Sequence, residues 1–194
     1  MKRSGMNDVR ILVAASAIVY GILALAMAVF PGLILSRTAP TPGLAPFTAQ
    51  QLRGRDIYVS EGCAYCHTQQ VRPLAQDRVF GRPAARGDFA YSTPELLGSE
   101  RNGPDLSNVG ARQPSAIWQY IHLYQPRSLV SASIMPSYAW LFEVKAHAAP
   151  GDLTVPVPAA YVARGHVVVA SQDAQALVAY LLALKQAPLP KAKP

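Results

Sequence analysis

Cys63 and Cys66, the only two cysteines in 194 residues, stand three apart, and His67 follows directly. No other feature of the chain restricts its fold as much. Residues three apart share one side of a helical turn, so two thiols at this spacing reach the two vinyl groups of one porphyrin. The histidine beside them turns under the ring and ligates iron. Cys-x-x-Cys-His is accordingly the attachment signature of c-type haem. Other uses of the pair fit less well. A thioredoxin-type redox pair needs a strand-to-helix setting, which is not visible here. A zinc site needs about four ligands, and a plain disulfide leaves His67 without a purpose. The reading is one covalently bound haem c, held by Cys63, Cys66 and His67.

Ile11 to Ser36 is a run of 26 residues without a charge, bracketed by Arg10 and Arg37. About 20 apolar residues in a helix cross a bilayer. A cleaved signal peptide would have a core of about 7–15 residues followed by a small-residue cleavage site, and this run is longer and lacks a clean site. It reads as a retained anchor. Lys2, Arg3 and Arg10 precede it and Arg37 alone follows closely. The positive-inside rule then puts the N-terminus in the cytoplasm and the remainder in the periplasm of a bacterial inner membrane, single-pass. Covalent haem attachment by this signature takes place outside the bacterial cytoplasm, so motif and anchor agree. Pro31-Gly32 is expected to loosen the outer end of the span. The net charge is +7 without a Lys/Arg run, which gives nucleic-acid binding no support.

The expected organisation is an anchor over 1–37, a Pro-rich spacer over 38–47, a haem domain over 48–187 and a tail over 188–194. Thr48 is placed to cap a helix running through Leu52, Gly54, Ile57 and Tyr58 into Cys63. Residues 68–101 form an inserted stretch of unclear periodicity, of the kind that is functional or mobile. Arg72, Arg78, Arg82 and Arg86 in it are candidates to pair with haem propionates or with a partner subunit, Arg72 foremost because it is nearest His67. Downstream, Asn102-Gly-Pro-Asp-Leu106 matches a loop of small cytochromes c in which a proline carbonyl accepts the proximal histidine N–H, a role for Pro104. Ile117 to Leu123 reads as a short helix. Arg112 and Trp118 are propionate donors or, for Trp118, core filling.

The sixth iron ligand follows by elimination. Met1 and Met6 precede the span and Met27 lies within it, which leaves Met135 in the proline-broken loop Ser133-Ile-Met-Pro-Ser137. His122, His147 and His166 are its rivals. Methionine opposite histidine raises the reduction potential. Residues 145–169 carry little signal beyond a possible short strand near Val167. Asp173 to Leu184 is helical, with Ala174, Leu177, Val178, Leu181 and Leu182 on one face. The fold class is all-α: one transmembrane helix and a cytochrome c-like domain.

Gly54-Arg-Asp-Ile-Tyr58, Glu61-Gly-Cys-Ala-Tyr-Cys-His-Thr-Gln-Gln-Val-Arg-Pro-Leu74, Gly98 to Leu106, His122-Leu-Tyr-Gln-Pro-Arg127 and Met135-Pro-Ser-Tyr-Ala-Trp-Leu141 together resemble the membrane-anchored mono-haem subunit II of cbb3-type cytochrome c oxidases. Trp118-Gln119 stands where that family commonly has Trp-His. The resemblance implies haem on Cys63 and Cys66, axial ligation by His67 and Met135, and an inserted stretch that docks on a catalytic haem–copper subunit. It implies a non-catalytic electron relay in a membrane complex. The donor would be another cytochrome c subunit or a soluble cytochrome c, and the acceptor haem b. The small subunit of a nitric oxide reductase, an independent membrane-tethered shuttle and a haem gas sensor are the alternatives. A filled sixth position speaks against the sensor.

Overall fold

The computed structural model describes residues 4–98 and 101–188. Lys2 and Arg3, Ser99 and Glu100 of the inserted stretch, and the expected tail after Pro188 lie outside the described residues. The chain divides into two units between Pro40 and Thr41.

The first unit is helical. α1 (Ser4–Ala24), a π-helical turn (Leu25–Val29) and α2 (Phe30–Ser36) follow one another. Within them Asp8–Ser36 is 29 residues long, with a mean hydropathy of 2.4 and nothing buried. At 1.5 Å per residue that is about 43 Å, more than the ~30 Å of a hydrocarbon core. Pro31 has no N–H to donate, and its ring crowds the carbonyl four residues back. The irregular turn therefore falls over Leu25–Val29, just before the Pro31-Gly32 pair where the sequence reading placed it.

The second unit is built on the crossing of α3 (Ala49–Ser60) and α7 (Gln172–Ala183). Thr48 caps α3 in a full capping box with Gln51, and Ser171 caps α7. Tyr58, Ala174, Leu177, Val178 and Tyr180 fill the crossing, with Tyr58 edge-on to Tyr180 at 5.7 Å. Gly54 sits where the backbones come closest. A Cβ there would lie 2.0 Å from Ala176 O, so the crossing requires glycine. Around this pair are α4 (Cys63–Cys66), α5 (Val109–Arg112) and α6 (Ala116–Tyr124).

The all-α expectation needs correcting. β1 (Phe142–Lys145), β2 (Thr154–Val155) and β3 (Val167–Ala170) form a small antiparallel sheet with β3 in the centre. Phe142 pairs with Ala170 and Val155 with Val168. The run Val167-Val-Val-Ala170 is β-branched and mostly buried, which favours a strand. Its two partners are too short to show a period.

The Pro-rich stretch ends against this unit. The Thr41 hydroxyl donates to Asp88 Oδ1 at 2.8 Å, and Phe47 meets the Tyr180 ring at 5.5 Å. The inserted stretch has little regular structure but is held by charge. Asp77, 3% exposed, accepts from Arg72 Nε at 2.8 Å and from Arg101 Nη1 at 3.3 Å. Arg82 grips Asp88 and reaches Ala187 O.

Candidate functional site

α3 delivers the chain to Gly62, whose φ of +73° turns it into α4. This is a conformation that side chains with a Cβ avoid. Cys63 and Cys66 open and close that one turn and are not joined to each other. Cys63 is buried, which pushes its thiol up to about 11. His67 leaves the turn with its N–H on Cys63 O at 3.0 Å.

His67 is then fixed from three sides. Its Nδ1 lies 2.8 Å from Pro104 O, so Nδ1 carries the proton and Nε2 is left as the lone-pair nitrogen. The strap carrying Pro104 is tied back by Gly103 N–H to Cys66 O at 3.0 Å. The imidazole lies directly against Gly103, where a Cβ would come within 2.2 Å of Cε1 and 2.5 Å of Nδ1. Behind it, the buried Tyr58 hydroxyl donates to His67 O at 3.2 Å. Burial pushes the imidazole below its ordinary pKa, against the bond to Pro104. A neutral imidazole with an available Nε2 is the form that binds a metal.

Met135 is half-buried against the core. Its loop is tied down by residues that follow it. Trp140 Nε1 donates to Glu61 Oε2, two residues before Cys63, at 3.0 Å. Tyr138 N–H donates to Leu123 O at 2.9 Å, and the Ser137 hydroxyl to Tyr124 O. The thioether is thus carried on a strap joined both to α6 and to Glu61.

The expected propionate partners fare differently. Arg72 holds Asp77 through two nitrogens. Arg112 donates to Asp105 O and lies over the Phe80 ring at 5.3 Å. Trp118 stacks on His122, ring centres 4.5 Å apart and 16° from parallel. Burial, then the neighbouring His67, depresses His122 to about 4. Arg78 and Arg86 are exposed.

The donor set fits a c-type haem. It offers two thiols on one turn, an imidazole with Nδ1 engaged and Nε2 available, and a thioether on a neighbouring strap. The Trp140–Glu61 bond and the contact of Gly103 with the His67 ring are features of the site that sequence reasoning did not single out. Glu61 and Trp140 are 79 positions apart, and nothing local announces such a pair. Gly103 lies within Asn102-Gly-Pro-Asp-Leu106, and a glycine directly before Pro104 is the local signal of a close approach to the His67 ring.

A protein-family model described as cytochrome C oxidase, mono-heme subunit/FixO matches residues 5–160. No curated protein matches the chain.

Proposed function

The chain belongs to the FixO family, the mono-haem subunits of cytochrome c oxidase, and from that premise we propose that it is the electron-relay subunit of a cbb3-type oxidase. A subunit of an oxidase associates with other oxidase subunits, and its N-terminal apolar helix is compatible with membrane anchoring. In this reading Cys63 and Cys66 would hold one haem c in thioether linkage, and His67 and Met135 would ligate its iron. The relay takes single electrons from a donor cytochrome c and passes them to haem b of the catalytic haem–copper subunit. The haem domain faces the periplasm and the N-terminus the cytoplasm. The proposed organisation is an anchor over 1–37, a spacer over 38–47 and a haem domain over 48–187.

One arrangement carries the proposal: the Cys63–Cys66 turn with His67 bonded to Pro104 O, and the Met135 strap tied through Trp140 to Glu61 just ahead of that turn. When bound, the haem supplies one-electron iron chemistry. The chain supplies position and tuning. Pro104 holds the His67 ring and raises its basicity. Gly103 lets the ring lie close. Met135 favours the ferrous state and so a high potential. No acid, base or nucleophile is required, because an electron relay breaks no bond.

The test is Met135→Ala in the purified complex. The variant should keep covalent haem and co-purify with the large polytopic subunit. Its c-haem potential should fall, and its reduced form should bind carbon monoxide. An unchanged potential removes Met135 as a ligand. A wild-type protein whose haem is extracted by acid acetone removes the attachment through Cys63 and Cys66.

A further inference from the structure

The inserted stretch returns to the cysteine turn from behind. Leu96 O accepts the Gln69 N–H at 2.9 Å. Just before it, Arg55 of α3 donates from Nη2 to Pro94 O at 2.6 Å. Two residues on, Gly98 lies against the peptide that joins His67 to Thr68. A Cβ at Gly98 would stand 2.7 Å from His67 C, 2.7 Å from Thr68 N and 3.0 Å from His67 O. The backbone of Gly98 is not left-handed, so no turn calls for glycine there. What the position requires is room for a close backbone approach.

The peptide that Gly98 meets is held by other elements as well. Its oxygen, His67 O, accepts from the Tyr58 hydroxyl of α3 at 3.2 Å. The carbonyl before it accepts the Gly103 N–H, and the one after it, Thr68 O, accepts the Leu106 N–H at 2.9 Å. Gln69 is tied again at its side chain, where Oε1 accepts from the Tyr180 hydroxyl of α7 at 2.9 Å. Thr68 and Gln69 are buried. The main chain that carries the imidazole is therefore clasped by α3, by α7, by the strap bearing Pro104 and by the inserted stretch. The stretch in turn is anchored at both ends of this contact, by Arg55 on Pro94 O and by Arg101 on Gln70 O.

We propose that Gly98 is a positioning residue for the proximal ligand: through residues 96–98 the inserted stretch forms the back wall that sets where His67 directs Nε2. The inference rests on the haem c reading of the preceding section. A side chain at position 98 overpacks a contact made of backbone on both sides. With the stretch anchored at Arg55 and Arg101, the displacement falls on the His67 peptide and turns the imidazole from Pro104 O, 2.8 Å from Nδ1. That bond makes the imidazole a more basic ligand, and a more basic ligand favours ferric iron. Loosening the bond therefore raises the potential.

The test compares Gly98→Ala with Gly81→Ala in the purified complex. At Gly81 an added Cβ would meet Gln186 Oε1 instead, so this variant strains the same stretch at another contact. The readouts are the c-haem potential, the ferric g-values in electron paramagnetic resonance, which report the orientation of the axial ligands, and the melting temperature. Gly98→Ala should keep covalent haem and the methionine–iron charge-transfer band, shift the g-values and raise the potential. Gly81→Ala should lower the melting temperature and leave g-values and potential as in wild type. Wild-type g-values and potential in Gly98→Ala would overturn the proposal and leave the relay standing. Equal shifts in both variants would also overturn it, by tracing the effect to a loosened stretch and not to the contact with His67. If Gly98→Ala is not matured, Leu97→Gly carries the test, since it adds no bulk and only frees the backbone beside the contact. It should broaden the same resonance lines, and wild-type line widths would overturn the proposal. A wild-type complex without covalent haem would refute the relay reading itself and this inference with it.

Discussion

Gly54→Ala separates backbone packing from helix propensity, because the two predict opposite signs. In an exposed helix the change stabilises by about 1 kcal/mol. Here the added Cβ would stand 2.0 Å from Ala176 O, 2.6 Å from Ala176 C and 2.7 Å from Tyr180 Cβ. Ordinary contact begins near 3.4 Å, so α3 and α7 must part by more than 1 Å. The obstacle is helix backbone and cannot rotate aside. Parting them loosens Tyr58, Leu177 and Tyr180, all within 1% of full burial, and a gap of that size forfeits a quarter to a half of each dispersion contact. Overpacking costs roughly 1–3 kcal/mol. Taking the upper end against a backbone obstacle and subtracting the propensity gain leaves a net loss of about 2 kcal/mol. For a chain of this length that lowers the melting temperature by roughly 4–8 °C. The assay is thermal unfolding of the detergent-solubilised holoprotein followed by far-UV circular dichroism. A melting temperature equal to or above wild type would refute the close crossing, since propensity alone would then describe the site.

Two further outcomes follow from the site and the inserted stretch. Gly103→Ala should push the His67 ring off Pro104 O, breaking the 2.8 Å contact, and weaken iron ligation by about 10–100-fold, the usual cost of losing such a support. A raised high-spin fraction in the oxidised absorption spectrum is the readout, and a wild-type spectrum would sink the prediction. The Asp77 carboxyl is held well below the ordinary carboxylate range, first by hydrogen bonds from Arg72 and then by its other contacts with Arg72 and Arg101. Its stabilising contribution is therefore complete above the unfolded value of about 3.9. That contribution is lost only as the pH falls through the lower folded value. Melting curves should show no dependence on this group between about pH 6 and 8. Asp77→Asn should melt lower at neutral pH and lose less on acidification, and an acid profile parallel to wild type would count against the ion cluster.

What the sequence disclosed depended on range. The cysteine turn, His67 and the Pro104 strap were legible because each is signalled within a few residues, and Thr48 and the apolar face of α7 were legible for the same reason. Gly54 could be flagged but not decided, since nothing in its own helix says that Ala176 lies above it. The sheet was missed as a sheet. Val167-Val-Val announced one strand, but a two-residue and a four-residue partner are too short to carry a period, and their pairing is set across the chain. In the sequence the arginines of the inserted stretch are candidates for a haem propionate or a partner subunit, or are simply solvated. Arg72 and Arg82 instead hold their own loop, because a buried carboxylate such as Asp77 is costly unless it is paired.

The same contrast of range explains how the two sides of the site are made. The proximal side is assembled by bonds between near neighbours and one strap: His67 N–H to Cys63 O, Gly103 N–H to Cys66 O, and the ring to Pro104 O. The distal side has no such local frame. Met135 sits in an irregular loop, tied to Glu61 by Trp140, with α6 holding the intervening backbone. The chain that leads into the turn that would fix the porphyrin therefore also holds the loop that would supply the opposite ligand. Trp140→Phe, which removes the bond to Glu61, should consequently weaken the methionine–iron charge-transfer band while leaving His67 ligation in place.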